Sequence, residues 1–496
     1  MLKLKIKLPR NVRISLTSII IAIILMFIIG TMGTLEVFGT GTKTFTYIFG
    51  IIIALFLFIG IFGTIYLVLK GVFFIKEETA NFKDKILNSS KKIMIVLFSL
   101  IISLVSLFGA MLTYYSFRLP PSFDVDPILQ FETWTAIPSG NELEKHHKSN
   151  TELIFWNNEF YLVYQSSKWH LEDLNGELLV AKSPDASAGS WETVAIIKGP
   201  GQNDVRDPLL TEINGTLFLY FLPNFEFDPN PNWTFWCSSN DGENWSEPEQ
   251  IFINVSRGSS WQLEGGWHFG SQGPITNDNI TWYVMASNED EDDPATILLE
   301  SNNGINWREI SVVYDTYFSD EPCLSFLPNG EFISTLRIRA ISSWEGYLFG
   351  TPHACTIIAT SFNNHLNWSH ATDFQTRLDG ATLFALDGGQ RIFAAGRNHL
   401  GPNIDLGSHV SKKRTSIYEV KKDRLIHLFD LPSNGDTAYT GVVISDDNIY
   451  VSYYTCPTNH DYPWIVGIML LTETEIRIAK FSVSGLIQYA NTIGGN

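Results

Sequence analysis

A tyrosine stands where a strand begins in the stretch NGDTAYTGVVISDDNIYVSYY, residues 434–454. Ile449, Val451 and Tyr453 alternate as an ordinary strand, but Tyr439 follows Gly435-Asp436-Thr437-Ala438. It either packs or reacts. Other reactive side chains hold like places. Asn150-Thr151-Glu152, Arg206-Asp207, Asp320-Glu321 and Asp379 each precede an alternating run, and Arg337 and Arg397 end the runs that follow two of them. Carboxylates in such a set can move protons. Planar guanidinium groups can clamp an anion with two hydrogen bonds. Whether these residues meet depends on the elements that carry them.

Those elements repeat. A turn of Asn, Asp or Gly, then an aromatic-rich alternating strand, occurs six times: NNEFYLVYQ from Asn157, NGTLFLYF from Asn214, NDNITWYVMAS from Asn277, NGEFISTLR from Asn329, GGQRIFAAGR from Gly388 and DDNIYVSYY from Asp446. Turn chemistry followed by period-two alternation signals a hairpin. The starts lie 52 to 63 residues apart, room for about four strands each, the size of a propeller blade. The expected fold is an all-β six-bladed propeller over residues 145–485, with 486–496 as a tail. Innermost strands of a propeller start near the axis, so residues at those starts converge at one mouth.

Four units also close on a turn bearing tryptophan: SPDASAGSW to Trp191, SSNDGENW to Trp245, ESNNGINW to Trp307 and TSFNNHLNW to Trp368. These resemble the Asp-box, S-x-D-x-G-x-T-W, of the sialidase superfamily. In it Asp or Asn caps the turn, Gly takes positive φ and Trp plugs the blade. NDVRDPLL, DEPCLSFLPNGEFISTLR, DGATLFALDGGQRIFAAGR, RTSIYEV and LPSNGDTAYTGVVISDDNIYVSYY extend the resemblance across the whole repeat. It implies a glycoside hydrolase of sialidase type that removes terminal sugars from glycans and needs no cofactor. It implies Tyr439 as nucleophile, since a carboxylate nucleophile would be repelled by an acidic sugar, and Glu321 as its base. Arg337 and Arg397 then belong to an arginine cluster for the substrate carboxylate. The blade-one place of the family's first arginine reads Ser149-Asn150-Thr151-Glu152. Arg206 and Arg414 are the candidates to replace it, and His170 the candidate to line the mouth. Glu172 and Asp173 lie near the place of the family's acid/base. Arg206-Asp207-Pro208 is also similar to a phrase of five-bladed fructan and arabinan glycosidases. On that reading Glu152, Asp207 and Glu321 form a carboxylate set for a neutral sugar. A glycan-binding propeller without catalysis is the remaining reading. Loop 254–270, with Trp261, Trp267 and His268, offers a sugar-stacking wall or a plain connection.

The first 118 residues are of another kind. They hold 13 Lys+Arg and 4 Asp+Glu, whereas the remainder holds 21 and 48. The acidic part repels nucleic acid and anionic lipid. Three uncharged or nearly uncharged stretches, about 14–35, 44–69 and 93–117, are each long enough to cross a bilayer as a helix. Basic residues crowd the N-terminus and the loop at 70–92, so these stay cytoplasmic and the propeller lies outside. Residues 119–144 read as a linker with scope for a closing strand. Outside placement suits the sequons at Asn214, Asn232, Asn244, Asn254, Asn279 and Asn367. It also permits disulfides. All four cysteines lie in this part, and Cys323 with Cys355 is the expected pair. No His/Cys spacing indicates zinc, no other metal is expected, and NEDEDDP at 288–294 reads as a solvated acidic loop.

Overall fold

The computed structural model describes Ser99, Ser103 and Ser106, all helical, and residues 123–494 apart from 124, 141–144, 169, 171–174, 203, 225–233, 256–266, 289–293, 339–354, 401–410, 460, 462–463 and 470–472. The chain divides into two compact units, 1–120 and 121–496. The three expected membrane spans lie outside the described residues, save for those three serines. Among the described residues no helix is long and apolar enough to cross a membrane.

The second unit is a six-bladed β-propeller of six antiparallel sheets. Blade 1 comprises His147–Trp156, Glu159–Ser167, Glu177–Ser183 and Glu192–Ile197, innermost strand first. Blade 2 comprises Asp204–Ile213, Thr216–Asn224, Phe235–Ser239 and Glu249–Gln250. Blade 3 runs from His268–Phe269 through Trp282–Ser287 and Thr296–Ser301 to Asn306–Tyr314, with Phe252–Asn254 added parallel on the rim. Blade 4 comprises Ser319–Phe326, Phe332–Ile338, Cys355–Phe362 and Asn367–Asp373. Blade 5 comprises Asp379–Leu386, Arg391–His399, Lys413–Val420 and Leu425–Asp430. Blade 6 takes three strands from the C-terminal side, Thr437–Ser445, Asn448–Thr455 and Glu475–Ser482, and its fourth, Glu132–Ile137, from the N-terminal side. The helix Val483–Gly494 follows and packs Leu486 and Ala490 into the joint of blades 5 and 6.

Each blade buries both faces against its neighbours, so middle strands are buried along nearly their whole length; Phe332–Ile338 is buried at every position, Arg337 included. One apolar cluster fills each of the six joints. Each fully buried Leu, Ile, Val or Phe contributes about 1.5–3 kcal/mol. The four tryptophan turns connect third strand to fourth in blades 1 to 4. In blade 2 Ser239 Oγ accepts from Gly242 N (2.8 Å), Asp241 Oδ1 from Glu243 N (2.9 Å), and Trp245 donates to the Gly242 carbonyl (3.2 Å). Ser301, Asn303, Gly304 and Trp307 repeat this pattern in blade 3. In blade 1 Ala186 takes the positive φ that Gly242 and Gly304 take in blades 2 and 3. In blade 4 His365 does so, and Trp368 donates to Ser311 Oγ instead (3.0 Å).

The expected disulfide does not form. Cys323 and Cys355 are both free and buried. Cys323 stands opposite Thr335 and Cys355 opposite Ile338 on the same middle strand. Three residues of offset puts them on opposite faces, and they enter different joints. Trp267 is likewise core, fully buried in the blade 2–3 joint, so it forms no wall; Trp261 lies outside the described residues. Of the sequon asparagines, Asn214, Asn244, Asn254, Asn279 and Asn367 are exposed, and Asn232 lies outside the described residues.

Candidate active site

The innermost strands share a defect. In five blades the ladder skips a residue near the strand start: between Ser149 and Thr151, Arg206 and Leu209, Asp320 and Cys323, Asp379 and Thr382, and Ala438 and Gly441. Within each skip one residue adopts the left-handed region: Asn150 (φ 48°), Asp207 (51°), Glu321 (46°), Gly380 (53°) and Tyr439 (47°). A bulge re-aims its side chain, and here the side chains meet. Asn150 donates to Asp207. The Tyr439 hydroxyl donates to Glu321 Oε1, and the Gly380 amide donates to Glu321 Oε2 at 2.5 Å. Gly380 must be glycine because a Cβ there would lie 2.8 Å from the Tyr439 ring. Pro208 and Pro322 follow two of the bulged residues, where the broken ladder asks for no N–H. Blade 3 has no such residue among those described. Its Gln272 instead reaches across, donating to the Leu383 carbonyl (3.0 Å) and accepting from Leu324 N and Leu383 N (3.2 Å each).

Arginines come from the second strands. Arg337 is the register partner of Asp320, and Arg397 of Asp379. Arg337 grips Asp320 with Nε (2.5 Å) and Nη2, and its Nη1 lies 2.5 Å from Glu321 Oε1. Arg397 donates to the Thr437 carbonyl (2.6 Å) and Tyr454 Oη (3.0 Å), and its guanidinium lies 5.3 Å from the Tyr439 ring centre. Arg206 pairs with Asp204 at 2.5 Å. Burial pushes the Asp207 carboxyl up to about 7; Arg206 opposes this and the charge of Glu321 adds to it. Burial, then the charges of Glu321 and Asp207, raises the Tyr439 hydroxyl well above its usual value, so it rests protonated.

Tyr439, Glu321, Arg337 and Arg397 thus form one connected group, and the charges of Asp207 and Arg206 act on it. Glu152 does not join it. The bulge falls at Asn150, and Glu152, two residues on, packs its carboxyl against Gly441 of blade 6, where burial raises its pKa. Arg414 is also elsewhere: it pairs with Asp461 at 2.8 Å and lies over the Phe123 ring. Its neighbour Lys413 takes the inner position instead. Lys413 is buried, 4.1 Å from the Trp464 ring centre, and burial followed by the charge of Arg397 lowers its pKa well below the usual range. His170 contacts Asp436 at 2.7 Å, beside His147. Glu172 and Asp173 lie outside the described residues. Asn150, Lys413 and His147 carry no motif; the bulge position alone marks Asn150.

No protein-family model matches the chain, and no curated protein matches its sequence. Similar solved structures exist. A protein of unknown function from Dyadobacter fermentans is 15% identical, with 71% of this chain and 99% of that chain covered and a TM-score of 0.51. Trypanosoma rangeli sialidase in complex with sialic acid is 12% identical, with 75% and 61% covered and a TM-score of 0.50. An α-L-arabinanase of Penicillium chrysogenum, complexed with arabinobiose, is 11% identical, with 70% and 98% covered and a TM-score of 0.47. At these identities the likeness is one of fold, a six-bladed propeller with neighbours among glycoside hydrolases.

Proposed function

We propose that the protein is a glycoside hydrolase of sialidase type, removing a terminal acidic sugar from glycans, and that its N-terminal helices tether it to a membrane with the propeller outside. The observation that carries the hydrolase reading is the Tyr439–Glu321 hydrogen bond between two residues held at positive φ. Glu321 takes the phenol proton as Tyr439 Oη attacks the anomeric carbon. Asp207, protonated up to about pH 7, gives its proton to the departing oxygen. Asp207 then draws a proton from water, which attacks the glycosyl–tyrosine bond, and the phenolate recovers its proton from Glu321. Arg397, over the Tyr439 ring, steadies developing phenolate charge.

A second reading is a two-carboxylate hydrolase of a neutral sugar. It is favoured by the engagement of Arg337 with Asp320 and Glu321 and by Asn150 at the blade-one bulge. The test is hydrolysis by the full chain in detergent of a panel of fluorogenic glycosides, sialosides and arabinofuranosides included, beside Tyr439→Phe. Turnover of a sialoside lost in the variant supports the first reading. Turnover of a neutral glycoside kept in the variant supports the second. No turnover of any member by the wild type would leave a binding propeller.

A further inference from the structure

One cluster lies beside this site without entering the reaction just described. His147 opens the innermost strand of blade 1, His170 follows the second strand of that blade, and Asp436 directly precedes the innermost strand of blade 6. Their donor atoms converge. His170 Nδ1 lies 2.7 Å and His147 Nε2 3.3 Å from Asp436 Oδ2, and all three atoms fall within 4.8 Å of one another. The side chains of His147 and Asp436 are 2% and 0% exposed, that of His170 19%.

The close approach is charged but misaligned for hydrogen bonding. None of these three buried atoms has a hydrogen-bond partner of acceptable geometry. Leaving a single buried polar atom unsatisfied costs about 1–3 kcal/mol, and three such atoms at one point call for a shared partner. A hydrogen bond would aim an N–H along the line to the oxygen. A metal ion needs the opposite: lone pairs that miss each other and meet at a point about 2.0–2.2 Å from every donor, leaving the donors themselves roughly 3 Å apart.

The surroundings hold the carboxylate for that purpose. Tyr454 Oη (3.0 Å) and Trp464 Nε1 (2.9 Å) both donate to Asp436 Oδ1, which turns Oδ2 toward the imidazoles; such outer partners fix the orientation of a ligating group. The Tyr454 ring faces His147, and the Trp464 ring faces His170. We propose that His147, His170 and Asp436 hold one divalent transition-metal ion. Two imidazoles and one carboxylate suit zinc and its neighbours rather than calcium or magnesium, which take oxygen ligands. Three protein donors leave a position for water or a substrate oxygen. Arg397 links the two places: its Nη2 lies 3.9 Å from Asp436 Oδ1 and its guanidinium lies above Tyr439. The site does not depend on the hydrolase reading.

The experiment is metal analysis of the full chain purified in detergent, stripped with chelator and dialysed against zinc. About one zinc per chain, with a higher Tm than the stripped protein, is expected for the wild type, and loss of both in His147→Ala and His170→Gln. Zinc content in the variants equal to the wild type, or none retained by the wild type, overturns the proposal. Should the variants not fold, cobalt added to stripped wild type decides. Visible d–d bands of a low-coordinate nitrogen–oxygen site support it, and the spectrum of aqueous cobalt alone overturns it. Hydrolysis plays no part in either readout, so this proposal and the hydrolase reading can fail separately.

Discussion

Positive φ is used in two parts of the propeller, the inner bulges and the outer tryptophan turns. At the outer tryptophan turns it falls to Gly242 and Gly304 in blades 2 and 3, to Ala186 and Gly189 in blade 1, and to Asn363, Asn364 and His365 in blade 4. In blades 2 and 3 the serine, the Asp or Asn and the tryptophan of the turn each find a partner within a few residues. At the inner bulges it falls to Asn150, Asp207, Glu321 and Tyr439, with glycine only at 380. A side chain in that region costs about 1–2 kcal/mol, and partners come from other blades. Where only shape is at stake, in blades 2 and 3, the chain uses the residue without strain, and in blades 1 and 4 the outer side chains that take it serve only the turn. Where strain is tolerated, the side chain is worth keeping for its chemistry.

That contrast can be broken by measurement. The largest effect is expected at the bulges. Tyr439→Phe keeps the ring and deletes one oxygen, so turnover should fall roughly a thousand-fold, about 4 kcal/mol, while Tm moves by no more than about 2–4 °C. Equal losses in both would make Tyr439 a packing residue. An outer turn should behave in reverse. A Cβ on Gly304 meets Ile213 at 2.6 Å besides carrying φ of 75°. Gly304→Ala should therefore cost roughly 2–3 kcal/mol of stability and leave turnover per folded molecule intact.

Acidity sharpens the same contrast on a smaller scale. With Asp207 raised to about 7, kcat/KM should fall about tenfold per pH unit above that value, and Asp207→Asn should abolish this limb. The folded value exceeds the ordinary 3.8. Stability from Asp207 is therefore fully present below about pH 4 and is lost as pH rises through 7. Urea melts of wild type against Asp207→Asn across that range should show the difference, and parallel curves would remove Asp207 as the acid. Smallest is Arg397→Lys. It keeps the charge but loses the planar contact with Tyr439, so a several-fold loss in kcat is expected; an unchanged kcat would detach Arg397 from the tyrosine.

The blades were legible because each hairpin turn and its alternation lie within about ten residues. The acid-before-arginine pairs could also be read, since Arg337 and Arg397 end the second strands opposite Asp320 and Asp379, which begin the first. The bulges could not. Period-two counting is blind to one extra residue, which is why Glu152 was expected where Asn150 stands; Arg414 was missed on strand parity instead, since it lies next to Lys413 on an unbroken ladder and faces the other way. The cysteine pairing failed on strand parity, visible only once the register of Phe332–Ile338 is known. His147, His170 and Asp436 meet only because blade 6 returns beside blade 1, a closure that no local spacing records.

That closure also sets an order of events in time. Glu132–Ile137 is made before every other blade strand, but its partner Glu475–Ser482 is made after all of them. At ribosomal speed the first strand waits on the order of half a minute, its edge unpaired, while blades 1 to 5 are synthesised. Blade 6, which carries Tyr439, is the final one completed. A nascent chain therefore holds Asp207, Glu321 and both arginines before the tyrosine is in place, and competence arrives only when blade 6 closes.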